Sequence, residues 1–202
     1  MGLWVGRMEG EYHIELDDNV EPVVHPPRRV PKSLLERLKL KLQEVEERDI
    51  IQKVDIPTPW VNSLVIVEKR DGSLRLCLDP RDSNKAIPRE HHRIPTAEDM
   101  ASRLTGKRVY SIVDEKDGFW QVPLDDESSY LCTFSTPYGR YRFKRMPFGI
   151  KSASGVFQKK NEYLETLTAW KSSSMISLSL LQMSKNMTKS WTSCCKGPER
   201  ET

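Results

Sequence analysis

The sequence predicts an α+β fold, and three observations carry that prediction. "SLVIVEK" and "LRLCLD" flank "RDGS", two β-branched and aliphatic runs on either side of a tight turn. "YLCTFSTPYGRYRFKRM" alternates around Pro-Tyr-Gly and reads as a second hairpin. Helical patterns stand around these strands, without the regular strand–helix alternation of a doubly wound sheet.

Taken in order, residues 1–30 form a polar, extended approach segment. It ends in "EPVVHPPRRVP", whose prolines favour an open path. From Pro31 to about Asp49, Leu34, Leu35, Leu38, Leu42 and Val45 recur at helical spacing. Pro31 suits a helix start, and alternating Lys and Glu give the helix a solvated face. "DIPTPW" breaks the pattern before the first hairpin. A polar stretch over 80–95 leads to "TAEDMASRL", where Thr96 and Asp99 resemble a capping box. "RVYSIVD" is the next strand, with Asp114 at its end. After the second hairpin, Ser152 stands where it can cap a helix through "ASGVFQKKNEYLE". Beyond residue 165 the chain turns serine- and threonine-rich with no clear period, and 166–202 is predicted to be a disordered tail.

Composition narrows the classes. A chain of 202 residues suits one sizeable domain or two small ones. Its formal net charge of +3 is nearly neutral, so bulk charge does not by itself argue for nucleic acid. No 18-residue apolar run and no signal-peptide pattern are present, which predicts an intracellular chain, cytoplasmic or nuclear, without a membrane partner. Cys77, Cys132, Cys194 and Cys195 form no C-x-x-C pair and read as reduced thiols. No ligand spacing joins them to His91 and His92 as a zinc site.

Three stretches carry chemistry, each with a plainer alternative. Lys69, Arg70 and Arg75 crowd one hairpin, where an Arg fork and a Lys point charge suit a polyphosphate or simply a solvated turn. "VDEKDGFW" lifts Asp114 out of an apolar strand and sets Phe119 close behind. Phosphoryl transfer needs carboxylates that hold two divalent ions about 3.5–4 Å apart, and a strand-ending Asp suits that task as well as it suits a turn. The Glu115 carbonyl offers another oxygen, and Phe119 a wall for a sugar. Met-Pro-Phe-Gly at 146–149 makes a rigid turn whose backbone can approach a base, or a loop packed under a helix.

In this order the stretches resemble the reverse transcriptases of gypsy-type long-terminal-repeat retrotransposons. The residues that carry the likeness are "WVNSLVIVEKRDGSLRLCLDPRDSNKAI", "RIPTAEDMASRLTGKRVYSIVDEKDGFWQVPLDDESSYLCTFSTPYGRYRFKRMPFGI" and "SASGVFQKKNEYL". The resemblance implies the fingers and partial palm of a right-hand polymerase over 31–165. It assigns Lys69 and Arg75 to the incoming triphosphate, Asp114 to catalysis as a ligand of both magnesium ions, and Glu115 to metal and nucleotide. Phe119 matches the steric gate, with Gln121 in the same motif, and Phe148 and Gly149 match the palm loop beside nucleotide and template. It implies Mg2+ as cofactor, and an RNA or DNA template–primer and a dNTP as partners. The oligomeric state is left open.

The same resemblance leads one to expect an Asp-Asp strand pair soon after "FQKKNEYL", and no aspartate follows Asp126. Asp17-Asp18 and Asp125-Asp126 stand in other contexts. The chain is therefore expected to lack the Asp-Asp strands, the thumb and the RNase H domain, and to be catalytically incomplete. The genetic code suggests a cause. Read from the third base of the Trp170 codon, residues 170–177 permit E-I-V-V-D-D-L, with Met175 forcing an aspartate. Read likewise from Trp191, residues 191–196 permit D-K-L-L-Q. A frameshift near residues 164–169 is the reading that follows. The other readings are a nucleic-acid-binding or interaction module, and an unstable product of a decayed element. Sequencing the gene across residues 160–202 is expected to show TCN codons at Ser172, Ser173 and Ser174 and an open alternative frame. AGY codons there, or stops in that frame, sink the frameshift.

Overall fold

The computed structural model describes residues 5–88 and 117–167, with 162–167 described by backbone only. The chain divides into two compact units. One takes Met1–Arg89 with Asp117–Ala153, and the other takes Glu90–Lys116 with Ser154–Thr202. The predicted strand "RVYSIVD", the Thr96–Asp99 capping box, Asp114 with Glu115, and residues 168–202 of the predicted tail lie outside the described residues.

The first unit holds five strands: β1 (Ile51–Val54), β2 (Asn62–Glu68), β3 (Leu74–Asp79), β4 (Thr133–Thr136) and β5 (Gly139–Phe143). They form one sheet in the order β1-β5-β4-β2-β3. Both predicted hairpins are present, β2 with β3 from Ser63–Asp79 to Glu68–Leu74 and β4 with β5 from Thr133–Arg142 to Thr136–Gly139. They meet through a short parallel contact, Asn62 opposite Phe134 and Ser63 opposite Ser135. Period two explains the burial on β3: Leu74, Leu76 and Leu78 are buried on one face while Arg75 stays half-buried on the other.

Helix α1 (Lys32–Glu47) matches the predicted helix to within two residues at its end, with Pro31 at the N-cap. Leu38, Leu42 and Val45 are its buried stripe. The helix closes with Ile50 N–H donating to Val45 O (3.0 Å) and Asp49 N–H to Glu46 O (3.0 Å), and Asp49 takes φ 55°. This left-handed stop turns the chain into β1. Strand β1 is absent from the sequence prediction because its burial runs in, out, out, in, without alternation; pairing with β5 defines it.

The second hairpin starts later than predicted. Tyr130 and Leu131 belong to helix α3 (Asp126–Leu131), which follows the one-turn α2 (Ser83–Ala86). Asp125 caps α3, its Oδ1 accepting from Ser128 N–H at 2.9 Å, and Asp126 and Glu127 fill the acidic first turn. Helix α4 runs Ala153–Leu167, two residues past the predicted end. Ser152 precedes it, but its buried Oγ has no hydrogen-bond partner, so the expected capping bond is not made.

The approach segment is tied to the first unit. Met8 N–H donates to Gln121 O (2.8 Å), Tyr12 N–H to Pro123 O (2.8 Å) and Asp17 N–H to Ala86 O (2.7 Å). Val5, Met8 and Ile14 are buried, the apolar anchors of an otherwise polar stretch. Cys77 and Cys132 are buried, and burial pushes the Cys132 thiol up, out of its reactive range.

One buried amide fastens the sheet. Asn62 Nδ2 donates to Leu131 O (2.9 Å) and Thr133 O (3.1 Å), and its Oδ1 accepts from Ser83 Oγ (2.8 Å). Asn62→Leu strands these buried partners and is expected to cost roughly 2–4 kcal/mol, read as a lower urea midpoint. An unchanged midpoint would show that water replaces the amide.

Candidate functional site

The site is built from the β2–β3 hairpin, a 3₁₀ turn (Gly118–Gln121) and the loop that follows β5. At the hairpin tip, Lys69 N–H donates to Ser73 O (2.9 Å) and Gly72 N–H to Lys69 O (2.9 Å). Gly72 takes φ 79° there, with open space around it. Asp71 accepts from Ser73 Oγ (2.7 Å) and N–H (2.9 Å), and these bonds hold its carboxyl below the usual range. Helix α1 braces the tip through Arg37, which bonds Glu68 (2.7 Å) and Gly72 O (2.5 Å).

Cations on this hairpin differ in what they meet. At its base Asp79 pairs with both Arg28 and Arg81. Lys69, Arg70 and Arg75 have no ion pair among the described residues. Arg75 instead places its guanidinium 5.3 Å from the centroid of the Phe148 ring, within cation–π range. Arg75 lies opposite Val67, and the tip bond sets Lys69 opposite Ser73. Period two therefore puts Lys69 on the Arg75 face, about 7 Å nearer the tip.

Phe148 reaches Arg75 because its loop docks on the outer edge of β3. Leu78 N–H donates to Phe148 O at 3.0 Å. The approach requires Gly149, which takes φ +116°; a Cβ there would sit 2.3 Å from Leu78 O and 3.1 Å from Pro80 Cδ. Phe148 then packs on Phe119 at 5.1 Å and 46°, and edge-on to Trp120 at 6.3 Å. Phe119 is buried, 1% exposed, and Phe148 is half-buried. A ligand on this face therefore meets Phe148 before Phe119.

The 3₁₀ turn that carries Phe119 is held from α1. Asp117 takes φ 55° and its carbonyl accepts from Trp120 N–H at 2.8 Å. Arg48 pairs with Asp117 (2.5 Å) and lies 5.5 Å from the Trp120 ring. The structure thus joins Arg75, Phe119 and Phe148, from three separated segments, in one stack. Lys69 shares a hairpin face with it, and Gly149 permits it. Asp114 and Glu115 lie outside the described residues. Gln121 contributes its carbonyl to Met8 N–H rather than to the stack. Arg48 and Asp117 escaped the sequence reading; an Arg just past a helix and an Asp before a Gly carry no signal of their meeting.

Among the described residues no group of three or more His, Cys, Asp or Glu gathers as a metal site. The carboxylates near the stack are committed elsewhere, Asp117 to Arg48 and Asp79 to Arg28 and Arg81.

Comparison with known proteins identifies the family. The family model for reverse transcriptase (RNA-dependent DNA polymerase) matches residues 67–178, more than half of the chain, and the chain belongs to that family. An uncharacterized protein of Caenorhabditis elegans is 37% identical over 146 residues, 71% of this chain and 11% of its own. The enzymatic polyprotein of figwort mosaic virus is 38% identical over 92 residues, 46% of this chain and 14% of the polyprotein. That of cauliflower mosaic virus (strain Strasbourg) is 30% identical over 148 residues, 72% and 22% of the two chains. The chain therefore spans between 11% and 22% of these relatives' lengths.

Solved structures give the fold. Foamy viral protease-reverse transcriptase in complex with an RNA/DNA hybrid superposes with a TM-score of 0.65 at 17% identity, covering 82% of this chain and 22% of that one. Its dRH form with double-stranded DNA gives 0.67 at 18%, covering 81% and 30%. The predicted α+β polymerase-domain fold is the one observed. No helix among the described residues is long and apolar enough to cross a membrane.

Gly149→Ala is expected to destabilise the first unit by about 2 kcal/mol or more, since it adds backbone strain to a clash. Fast hydrogen exchange at the Leu78 amide would report the broken loop contact. A variant as stable and as protected as wild type would contradict the geometry.

Proposed function

We propose that this chain is the nucleotide-facing part of a gypsy-type RNA-directed DNA polymerase and that it does not polymerise by itself. The observation that carries the first half is the stack of Arg75, Phe148 and Phe119. A guanidinium with no ion pair among the described residues sits over a half-buried ring backed by a buried one, which suits a triphosphate beside a sugar and base. Lys69 supplies a second positive charge on the same face. Phe119, at the steric-gate position the resemblance assigns, backs Phe148 and fixes how far that ring can yield to a ribose 2′-hydroxyl. Gly149 lets the loop close on β3 so that nucleotide and template have a firm floor. A template–primer of RNA or DNA is the expected partner, in line with the hybrid and duplex bound by the foamy viral enzymes.

The second half rests on carboxylates. Asp114, with the Glu115 carbonyl, is the ligand set expected for magnesium, which in nucleotidyl transfer steadies charge on the reacting phosphate. No aspartate follows Asp126. Asp125 is engaged as the α3 cap and with His13 (2.6 Å), and Asp126 with Arg142 (2.9 Å). Nothing in the sequence beyond these completes the pair, in keeping with an out-of-frame tail over 166–202. The residues present can bind and orient a nucleotide; no transfer step is assigned to them.

Primer extension on a poly(rA)–oligo(dT) template with Mg2+ is expected to stay at background for this chain, equal to its Asp114→Ala variant. Extension that Asp114→Ala abolishes would overturn the incompleteness. A dNTP that fails to bind, or that binds Arg75→Ala no more weakly than wild type, would overturn the nucleotide-facing role.

A further inference from the structure

We propose that Asn84 is the positioning residue of the nucleotide-facing loop, with Lys151 as its second arm. The inference rests on the reading of Phe148 and Gly149 as nucleotide-facing. Asn84 Nδ2 donates to Gly149 O at 3.0 Å, and its Oδ1 accepts from Lys151 N–H at 2.9 Å. A carbonyl can only accept and an amide N–H can only donate, so these partners fix which way the side-chain amide faces. Only a short planar group with one donor and one acceptor spans both. Aspartate would oppose its own lone pairs to the Gly149 carbonyl, and glutamine is one methylene too long.

The amide is itself held in place. Asn84 N–H donates to Pro80 O at 2.7 Å, and the neighbouring Ser83 is fastened to buried Asn62 at 2.8 Å. Lys151 returns the contact, its Nζ donating to Ile87 O (3.0 Å) and Asn84 O (3.4 Å). The Phe148 loop is thus held at two points, by Leu78 N–H on the Phe148 carbonyl and by Asn84 on Gly149 O and Lys151 N–H just beyond it. Asn84 is half-buried, and both of its side-chain bonds go to the loop. Its removal should loosen the loop while the β4–β5 hairpin keeps its order.

The test uses the full chain with Asn84→Ala, Asn84→Asp and Lys151→Met, read by hydrogen exchange and by photolabelling with an azido-dATP that unlabelled dATP competes away. In Asn84→Ala the Leu78 and Lys151 amides should exchange about tenfold faster, with β4–β5 amides unchanged and labelling reduced at least severalfold. Asn84→Asp keeps the acceptor for Lys151 and should retain part of that amide's protection but not the labelling. Lys151→Met should fall between wild type and Asn84→Ala. Equal loop protection or equal labelling in Asn84→Ala overturns the proposal, as does loss of β4–β5 protection in both Asn84 variants. A wild-type chain that takes no competable label overturns the nucleotide reading, and the proposal with it.

Discussion

The sheet hangs on one buried side chain. Two hairpins, β2–β3 and β4–β5, are joined in the sheet by the parallel pairs Asn62–Phe134 and Ser63–Ser135. Two pairs are a thin seam, and parallel pairing is the less stable kind per residue. Asn62 reinforces that seam across the gap, with its amide on the carbonyls of Leu131 and Thr133. Its remaining oxygen takes the hydroxyl of Ser83 and so sets α2, a single turn that no helix propensity would sustain alone. From α2 the order passes through Asn84 to the Gly149 loop. A chain of directional bonds therefore runs from the middle of the sheet to the ring of Phe148.

That ring gives Arg75 its resting place, and the energetics of that contact bear on the proposed role. A cation over an aromatic face at a partly exposed position is worth about 0.5–1 kcal/mol. Hydrogen bonds between a guanidinium and a phosphate are shorter, doubly directed and stronger. Arg28 and Arg81 are already committed to the carboxylate of Asp79; Arg75 has no ion pair among the described residues. In the proposed nucleotide-facing role, an arriving polyphosphate would have only a weak contact to displace there, and Phe148 would then be free to face the base or sugar.

Much of this was legible in the sequence where the signal is local. Alternation with a turn gave both hairpins, and apolar spacing from Leu38 to Val45 gave α1. Strand β1 was not legible because Gln52 and Lys53 interrupt any period and only pairing with β5 makes it a strand. The start of α3 was masked by Tyr130 and Leu131, which read as strand, while the decisive contact is one carboxylate on one amide, Asp125 to Ser128. For the site, residue types and order singled out Arg75, Phe119, Phe148 and Gly149. Their meeting depends on the Leu78–Phe148 bond and on the space a missing Cβ leaves at Gly149, and neither is written in a period.

The aspartate pairs show why adjacency in sequence is a poor guide to a metal site. Asp17 closes its own turn, accepting from Asn19 N–H (3.0 Å) and Nδ2 (2.7 Å). Asp125 faces inward to cap α3 and to meet His13, whose pKa its hydrogen bond raises. Asp126, its neighbour, pairs with Arg142 instead. One carboxylate turned to a helix end and the next to a strand cannot converge on a common ion without giving up a cap worth about 1 kcal/mol and an Arg pair. A metal-binding pair needs a strand end that aims both side chains into one space, with nothing local competing for them. The order that Asn62 and Asn84 impose on the Phe148 side rests on neither aspartate pair, so the proposed nucleotide-facing role does not depend on a metal-binding pair of carboxylates.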